Sequence, residues 1–212
     1  MAHIIAIAGP SCAGKTELSK LLAARLDAPI LPIDAYYVNL DHIPFAERCR
    51  FNFDEPNALD HALLRQHVEA LAQDRAVERP TYDFTVHTRA AATERILPAR
   101  YVILEGLFAL YWDDLRPLLD TKVFVHVPDA LCFSRRNARD IHERGRTPES
   151  VLEQYEKTVR PMAQLYVLPT ARWADIVVSG DRPLEESMQA ILRHLRPEPA
   201  VPRAPVRLTT PS

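Results

Sequence analysis

Gly9-Pro10-Ser11-Cys12-Ala13-Gly14-Lys15-Thr16 sets four residues between two glycines and follows the second with lysine and threonine. This spacing suits a loop whose backbone N–H groups cradle the phosphates of a nucleoside triphosphate. Lys15 would reach the β- and γ-phosphates, and the Thr16 hydroxyl would ligate Mg²⁺. An apolar run, His3-Ile4-Ile5-Ala6-Ile7-Ala8, precedes the loop, and Glu17–Leu26 follows with helical apolar spacing. A helix that starts at the loop adds partial positive charge where phosphate sits. A chance glycine turn is the alternative. The motif implies a phosphoryl donor and leaves the acceptor open.

Phosphoryl transfer also needs a group that takes the acceptor's proton, a carboxylate beside Mg²⁺ and cations on the moving phosphoryl group. Asp34 ends the apolar run Pro29–Ile33 and can serve as the base; a turn cap in Asp34-Ala35-Tyr36-Tyr37 is the alternative. Glu105 ends Tyr101-Val102-Ile103-Leu104 and stands where an acidic residue would orient Mg²⁺. Arg135, Arg136, Arg139, Arg144 and Arg146 fall in one segment with Gly145. Spacings of three and four gather guanidiniums on one helix face, and arginine forks suit phosphate and carboxylate. The segment reads as a lid over phosphates. Its alternative is a solvated charged helix with Arg136–Asp140 pairing. Tyr82, Phe84 and His87 fall on the expected hairpin, where aromatics at alternate positions point to one strand face. They could frame a base or simply fix a hairpin to the sheet.

These residues need a scaffold. Five short apolar runs, Ile4–Ala8, Pro29–Ile33, Tyr101–Leu104, Lys122–Val127 and Asp175–Val178, read as buried parallel strands. Helical patterns at Glu17–Leu26, Leu59–Ala72, Asp129–His142, Glu149–Tyr155 and Leu184–Leu195 alternate with them. The expected fold is α/β, a five-stranded parallel sheet covered by helices on both faces. A β-hairpin over about 76–98 and an Arg-rich helical lid over about 129–158 are inserted into a domain of 1–196. The Pro-rich remainder, 197–212, reads as a disordered tail. The chain has 212 residues and a net charge of −2, so no nucleic-acid footprint shows. Three cysteines without metal spacing argue against a disulfide framework or a zinc site. The N-terminal apolar run is too short for a signal peptide and no segment is long enough to span a bilayer. The expectation is a cytoplasmic protein with no membrane partner.

Taken together, the motifs resemble the uridine kinase (uridine–cytidine kinase) family of P-loop kinases. The resemblance rests on Gly9–Thr16, Asp34–Tyr37, Asn52–Asp60, Pro80–Arg89, Leu104-Glu105-Gly106, Arg135–Arg146, Gln154-Tyr155 and Arg160-Pro161, and it covers roughly residues 3–180. It implies phosphorylation of a pyrimidine ribonucleoside 5′-hydroxyl by ATP or GTP with Mg²⁺. Asp34 would be the base. Asp54 would hold ribose hydroxyls, with Tyr37 and Phe53 lining the pocket. Tyr82, Phe84 and His87 would frame the pyrimidine. Arg136, Arg146 and Gln154 would complete the nucleoside site, while Lys15, Arg139 and Arg144 would act on the triphosphate. Thr16 and Glu105 would place Mg²⁺. The resemblance further implies a homo-oligomer, a tetramer. Two segments depart from the family pattern: Val38-Asn39-Leu40, and Ser179-Gly180-Asp181-Arg182-Pro183 near the donor base. Phosphoribulokinase- or pantothenate kinase-like acceptors and a non-catalytic nucleotide sensor are the competing readings.

Overall fold

The computed structural model describes residues 1–195. The expected tail at 197–212 lies outside them. The five core strands are β1 (His3–Ala8), β2 (Ile30–Pro32), β5 (Tyr101–Glu105), β6 (Thr121–His126) and β7 (Ile176–Ser179), all parallel in the order β2-β5-β1-β6-β7. Along the chain, between β2 and β5, comes a separate antiparallel hairpin, β3 (Val77–Asp83) and β4 (Thr88–Ile96). Helices α1 (Lys15–Leu26), α2 (Phe45–Arg48), α3 (His61–Ala72), α4 (Asp129–Arg144), α5 (Pro148–Gln154), α6 (Arg160–Met162) and α7 (Leu184–Leu195) complete the fold. None of the described helices is long and apolar enough to cross a membrane.

The period of two in β1 sorts its side chains onto two cores. Ile4, Ala6 and Ala8 face one cluster with Leu31, Leu104 and Phe124, closed by Leu64, Val68 and Leu71 of α3. Ile5 and Ile7 face the other with Ile103, Val123 and Val125, closed by Leu18 and Leu22 of α1 and Met188 and Ile191 of α7. Burial on both faces explains why these strands read as continuous apolar runs.

Two glycines carry the loop geometry. Gly14 caps α1 at φ 93, in the left-handed region. Gly180 lets β7 end against the phosphate loop, because a Cβ there would sit 2.2 Å from the Ala13 carbonyl oxygen.

The structure differs from the sequence reading in three places. The second strand stops at Pro32, and Ile33–Tyr36 turn into a 3₁₀ helix that carries Asp34. The hairpin's second strand takes in the whole polar stretch from Thr88, whereas Phe84 and His87 leave the strand for the turn. His87 adopts φ 53, and Asp83 holds the turn by accepting from the Thr85 backbone N–H and hydroxyl. The helix expected to end at Tyr155 runs on through π turns at Tyr155–Val159 and Ala163–Val167 and a 3₁₀ turn to Trp173. Pro161 and Pro169 donate no backbone N–H, and a π turn breaks the 3.6-residue period that sequence reading depends on.

Asp60 and Arg89 tie the hairpin to α3 and to the turn after β2. Asp60 caps α3 by accepting from the Leu63 N–H, and its other oxygen receives Arg89 at 3.1 Å. Arg89 also donates to the carbonyls of Tyr37 and Tyr36 at 2.8 and 3.3 Å. Thr88 accepts from the Leu40 N–H and donates to Asn39. Asp60→Ala is expected to lower unfolding free energy by about 1–2 kcal/mol, as for loss of a helix N-cap. Asp60→Asn, which keeps the cap acceptor, should cost less. Urea denaturation of the two variants checks the order.

Candidate active site

The carboxyl ends of the parallel strands meet at the loop after β1, where the strand order switches direction; open α/β sheets bind ligands there. Gly9 through Thr16 wrap this point. Lys15 is buried, and its ammonium donates to the Pro10 carbonyl at 2.9 Å. The Ala13 N–H reaches the same oxygen. Pro10 thus holds the loop closed through its carbonyl, a role no side chain need supply. Cys12 takes φ 62, a left-handed conformation two residues before Gly14 at φ 93; successive residues of this kind can turn backbone N–H groups into an anion-binding nest.

Asp34 and Glu105 flank the loop. Glu105 is buried, and one of its oxygens accepts from the Thr16 hydroxyl at 3.4 Å. Burial lifts the Glu105 carboxyl above its usual range, with Lys15 pulling it down and Asp34 pushing it up. A hydroxyl and one carboxylate make a donor set suited to Mg²⁺, which takes oxygen ligands and fills its remaining positions with phosphate and water. Asp34 is crowded by protein yet accessible to solvent. The crowding raises its carboxyl, against the charges of Lys15, Arg139 and Arg144. Asp54 behaves alike: burial raises it, the Arg136 guanidinium lowers it, and the charge of Asp34 raises it. Three carboxylates therefore share one cationic cleft.

An aromatic wall stands beside them. Tyr37 packs edge-on to Phe53 at 5.1 Å and against Tyr82 at 5.2 Å between ring centroids. His87 stacks on Phe53 at 5.6 Å. Its imidazole is held below the usual value by burial and by Arg144, which favours the neutral ring. Phe84 touches Tyr82 but is 55% exposed at the turn, so it rims the wall where the alternating pattern placed it on a strand face. Phe45 and Phe51, which no spacing singled out, extend the wall, Phe45 stacking on His87 and Phe51 packing edge-on to Phe53.

The arginine segment is helical, and Arg136 and Asp140 on it are buried. Arg136 and Asp140 do pair, at 3.4 Å, but they are 6% and 0% exposed. The solvated-helix reading is thereby corrected: the charged face lies against the phosphate loop. Arg136 donates to the Ser11 hydroxyl at 3.1 Å and to Gln154 Oε1 at 3.3 Å, and Arg146 donates to the same Gln154 oxygen. Arg135 reaches the Cys12 carbonyl at 3.4 Å. Asp140 went unrecognised as a site residue in the sequence. Its signal was positional, four residues after Arg136 and four before Arg144.

The raised Asp34 carboxyl has a consequence for stability. A carboxyl whose folded pKa lies above its unfolded value of 3.8 stabilises the fold only in its protonated form. At neutral pH the ionised Asp34 is a cost. Asp34→Asn is expected to raise the melting temperature at pH 7. The advantage should vanish as pH falls through the raised value toward 3.8, where the wild-type carboxyl takes up its proton. Calorimetry of both proteins across pH 3–8 reads the difference.

A family model described as "Phosphoribulokinase / Uridine kinase family" matches residues 4–182. A uridine kinase of Tolumonas auensis is 42% identical over 202 residues, covering 91% of this chain and 94% of that protein. A uridine kinase of Chloroflexus aggregans is 45% identical over 180 residues, covering 84% and 86%. The phosphoribulokinase structure from Rhodobacter spheroides superposes with a TM-score of 0.64 at 18% identity, over 84% of this chain and 70% of that one, a likeness of fold. By the extent of the family match and the identity to these relatives, the chain belongs to the phosphoribulokinase/uridine kinase family.

Proposed function

We propose that the protein is a nucleoside kinase that phosphorylates the 5′-hydroxyl of uridine or cytidine, giving UMP or CMP. The relatives named uridine kinase cover nearly the whole chain. The observation that carries the reading is the position of Asp34. Its carboxyl lies within the fields of Lys15, Arg139 and Arg144 and within that of Asp54, between the phosphate loop and the aromatic wall.

The donor is a nucleoside triphosphate, ATP or GTP, held by residues 9–16. Mg²⁺, held by Thr16 and Glu105, would neutralise phosphate charge. The nucleoside stands against Tyr37, Phe53, Tyr82 and His87, with Phe84 at the rim, and its ribose hydroxyls meet Asp54. Arg136, Arg146 and Gln154 close over it. The 5′-oxygen forms a bond to the γ-phosphorus as the bond from that phosphorus to the bridging oxygen breaks. The nucleoside diphosphate leaves, and the hydroxyl proton passes to Asp34. Lys15, Arg139 and Arg144 balance the charge on the moving phosphoryl group. Its raised pKa makes Asp34 a better proton acceptor than an ordinary carboxylate, and the acceptor hydroxyl is delivered at contact distance.

The neutral His87 ring presents one donor and one acceptor nitrogen, so it can face uracil or cytosine through its tautomer. Two ribose hydroxyls satisfy Asp54 better than one, which disfavours deoxyribonucleosides. The wall of aromatic rings favours a base over the sugar phosphate of a phosphoribulokinase-type acceptor. A cytoplasmic setting suits three free thiols. Nucleic acid and membrane are not partners in this reading, and a homo-oligomer, a tetramer, is; light scattering tests the last point.

An ADP-release assay with uridine, cytidine and their deoxy forms, using ATP and GTP as donors, tests the function. Transfer to a pyrimidine ribonucleoside is the expected result; transfer only to a sugar phosphate or pantothenate overturns it. Asp34→Asn should lower kcat by about 10²-fold or more, the scale of a lost general base. Asp54→Ala should act mainly on nucleoside KM. A wild type that binds ATP and phosphorylates none of the acceptors would make the protein a sensor.

A further inference from the structure

Asp140 is fully buried, and its two oxygens divide four guanidiniums between them. Arg139 binds Oδ1 at 2.9 Å, and Arg144 lies 3.5 Å from the same oxygen. Arg136 and Arg146 lie 3.4 and 3.7 Å from Oδ2. The division matches the two halves of the reaction proposed above. The Oδ1 pair belongs to the triphosphate and the Oδ2 pair to the nucleoside.

The two pairs are held differently. The Oδ1 contacts include a hydrogen bond from Arg139 Nε at 2.9 Å. On the other side, Oδ2 and Arg136 Nε are both buried and make no hydrogen bond. The nucleoside-side arginines lean on other partners: Arg136 on Ser11 and Gln154, and Arg146 on Gln154 and the Ser150 carbonyl. One carboxylate charge thus faces four cations and sits closest to Arg139 of the triphosphate pair. The carboxylate itself is shut off from water, while Arg144 stands half exposed.

We propose that Asp140 is a positioning residue that couples the two substrates. A triphosphate in the loop draws Arg139 and Arg144 toward its own oxygens and away from Oδ1. The carboxylate charge then falls to Arg136 and Arg146 at the unfilled Oδ2. Those two guanidiniums share Gln154, so their approach sets the three side chains together over the nucleoside. Coupling of this kind is reciprocal: bound nucleoside tightens triphosphate binding by the same factor. Arg136, which also holds Ser11 of the phosphate loop, is a second bridge between the halves. The inference rests on the nucleoside kinase reading for the identity of the two ligands.

The experiment is titration calorimetry of uridine with the full chain, alone and with a saturating non-hydrolysable ATP analogue and Mg²⁺. The ratio of the two dissociation constants is the coupling factor. Wild type is expected to show a factor of about 5 or more, the lower end of ordinary allosteric coupling. Asp140→Asn keeps the shape and removes the charge; its factor should fall to about 1 even where each ligand still binds alone. A merely structural Asp140 would lower the melting temperature and both affinities but leave the factor unchanged, and that result overturns the proposal. So does a wild-type factor of 1. If the Asn variant does not fold, Arg136→Lys and Arg139→Lys are combined in a double-mutant cycle on kcat/KM. Non-additivity supports the coupling and strict additivity refutes it. Failure of the kinase reading is recognised separately, by absence of uridine phosphorylation in the wild type. The same titration then uses whichever acceptor the assay identifies.

Discussion

Charge compensation in a crowded cleft is the constraint on which this structure depends. Asp34, Asp54 and Glu105 all lie where burial lifts their carboxyl groups, and Asp34 raises each of the other two. Lys15, Arg136 and Arg139 pull in the opposite direction. The cations offset the crowding and the mutual repulsion of the three acids, both of which favour the protonated carboxyls. Without the acids, Asp140 alone would offset the positive charge that the arginine helix brings against Lys15. The sheet is arranged so that they meet. β1 and β5 are neighbours in register, so the loop after Ala8 and the carboxylate of Glu105 emerge side by side. β2 adds Asp34 one strand further along.

The phosphate loop and the aromatic wall are anchored to different parts of the fold. The donor loop rests on buried strands and on the Pro10 carbonyl. The aromatic wall comes from the hairpin, the turn at its tip and the segment around Phe53, all outside the main sheet. Arg89 and Thr88 fasten that hairpin through carbonyls and through Asn39. Such an attachment lets the wall vary without disturbing the phosphate machinery, which is how one scaffold serves different acceptors. The shared fold with a phosphoribulokinase fits this division.

Much of the fold was legible because its strands are buried on both faces and its helices keep an apolar stripe. Ile5 and Ile7 point to one core and Ile4 and Ala6 to the other, so β1 reads as unbroken apolar sequence. The phosphate loop was legible for a related reason: glycine, lysine and threonine at that spacing have few other uses. What failed to show was local geometry that leaves no period. The π turns after Gln154 shift the helical phase. Phe84 follows Tyr82 at strand spacing, yet the turn held by Asp83 captures Phe84 and His87 first.

The sequence by itself determined the order of elements, the donor loop, and which acids and arginines were available, because those depend on residue type and on spacing along the chain. Tertiary structure decided which of them meet. It set Phe45 and Phe51 against His87 and Phe53, and brought Gly180 against Ala13. It also turned an arginine-rich helix that could have lain in water onto the phosphate loop. Burial made the difference at Asp140: at the surface it would be one partner in an exposed ion pair worth little, but fully enclosed, its single charge holds four guanidiniums. Spacing can suggest such a group, but only packing removes the water that would otherwise screen it.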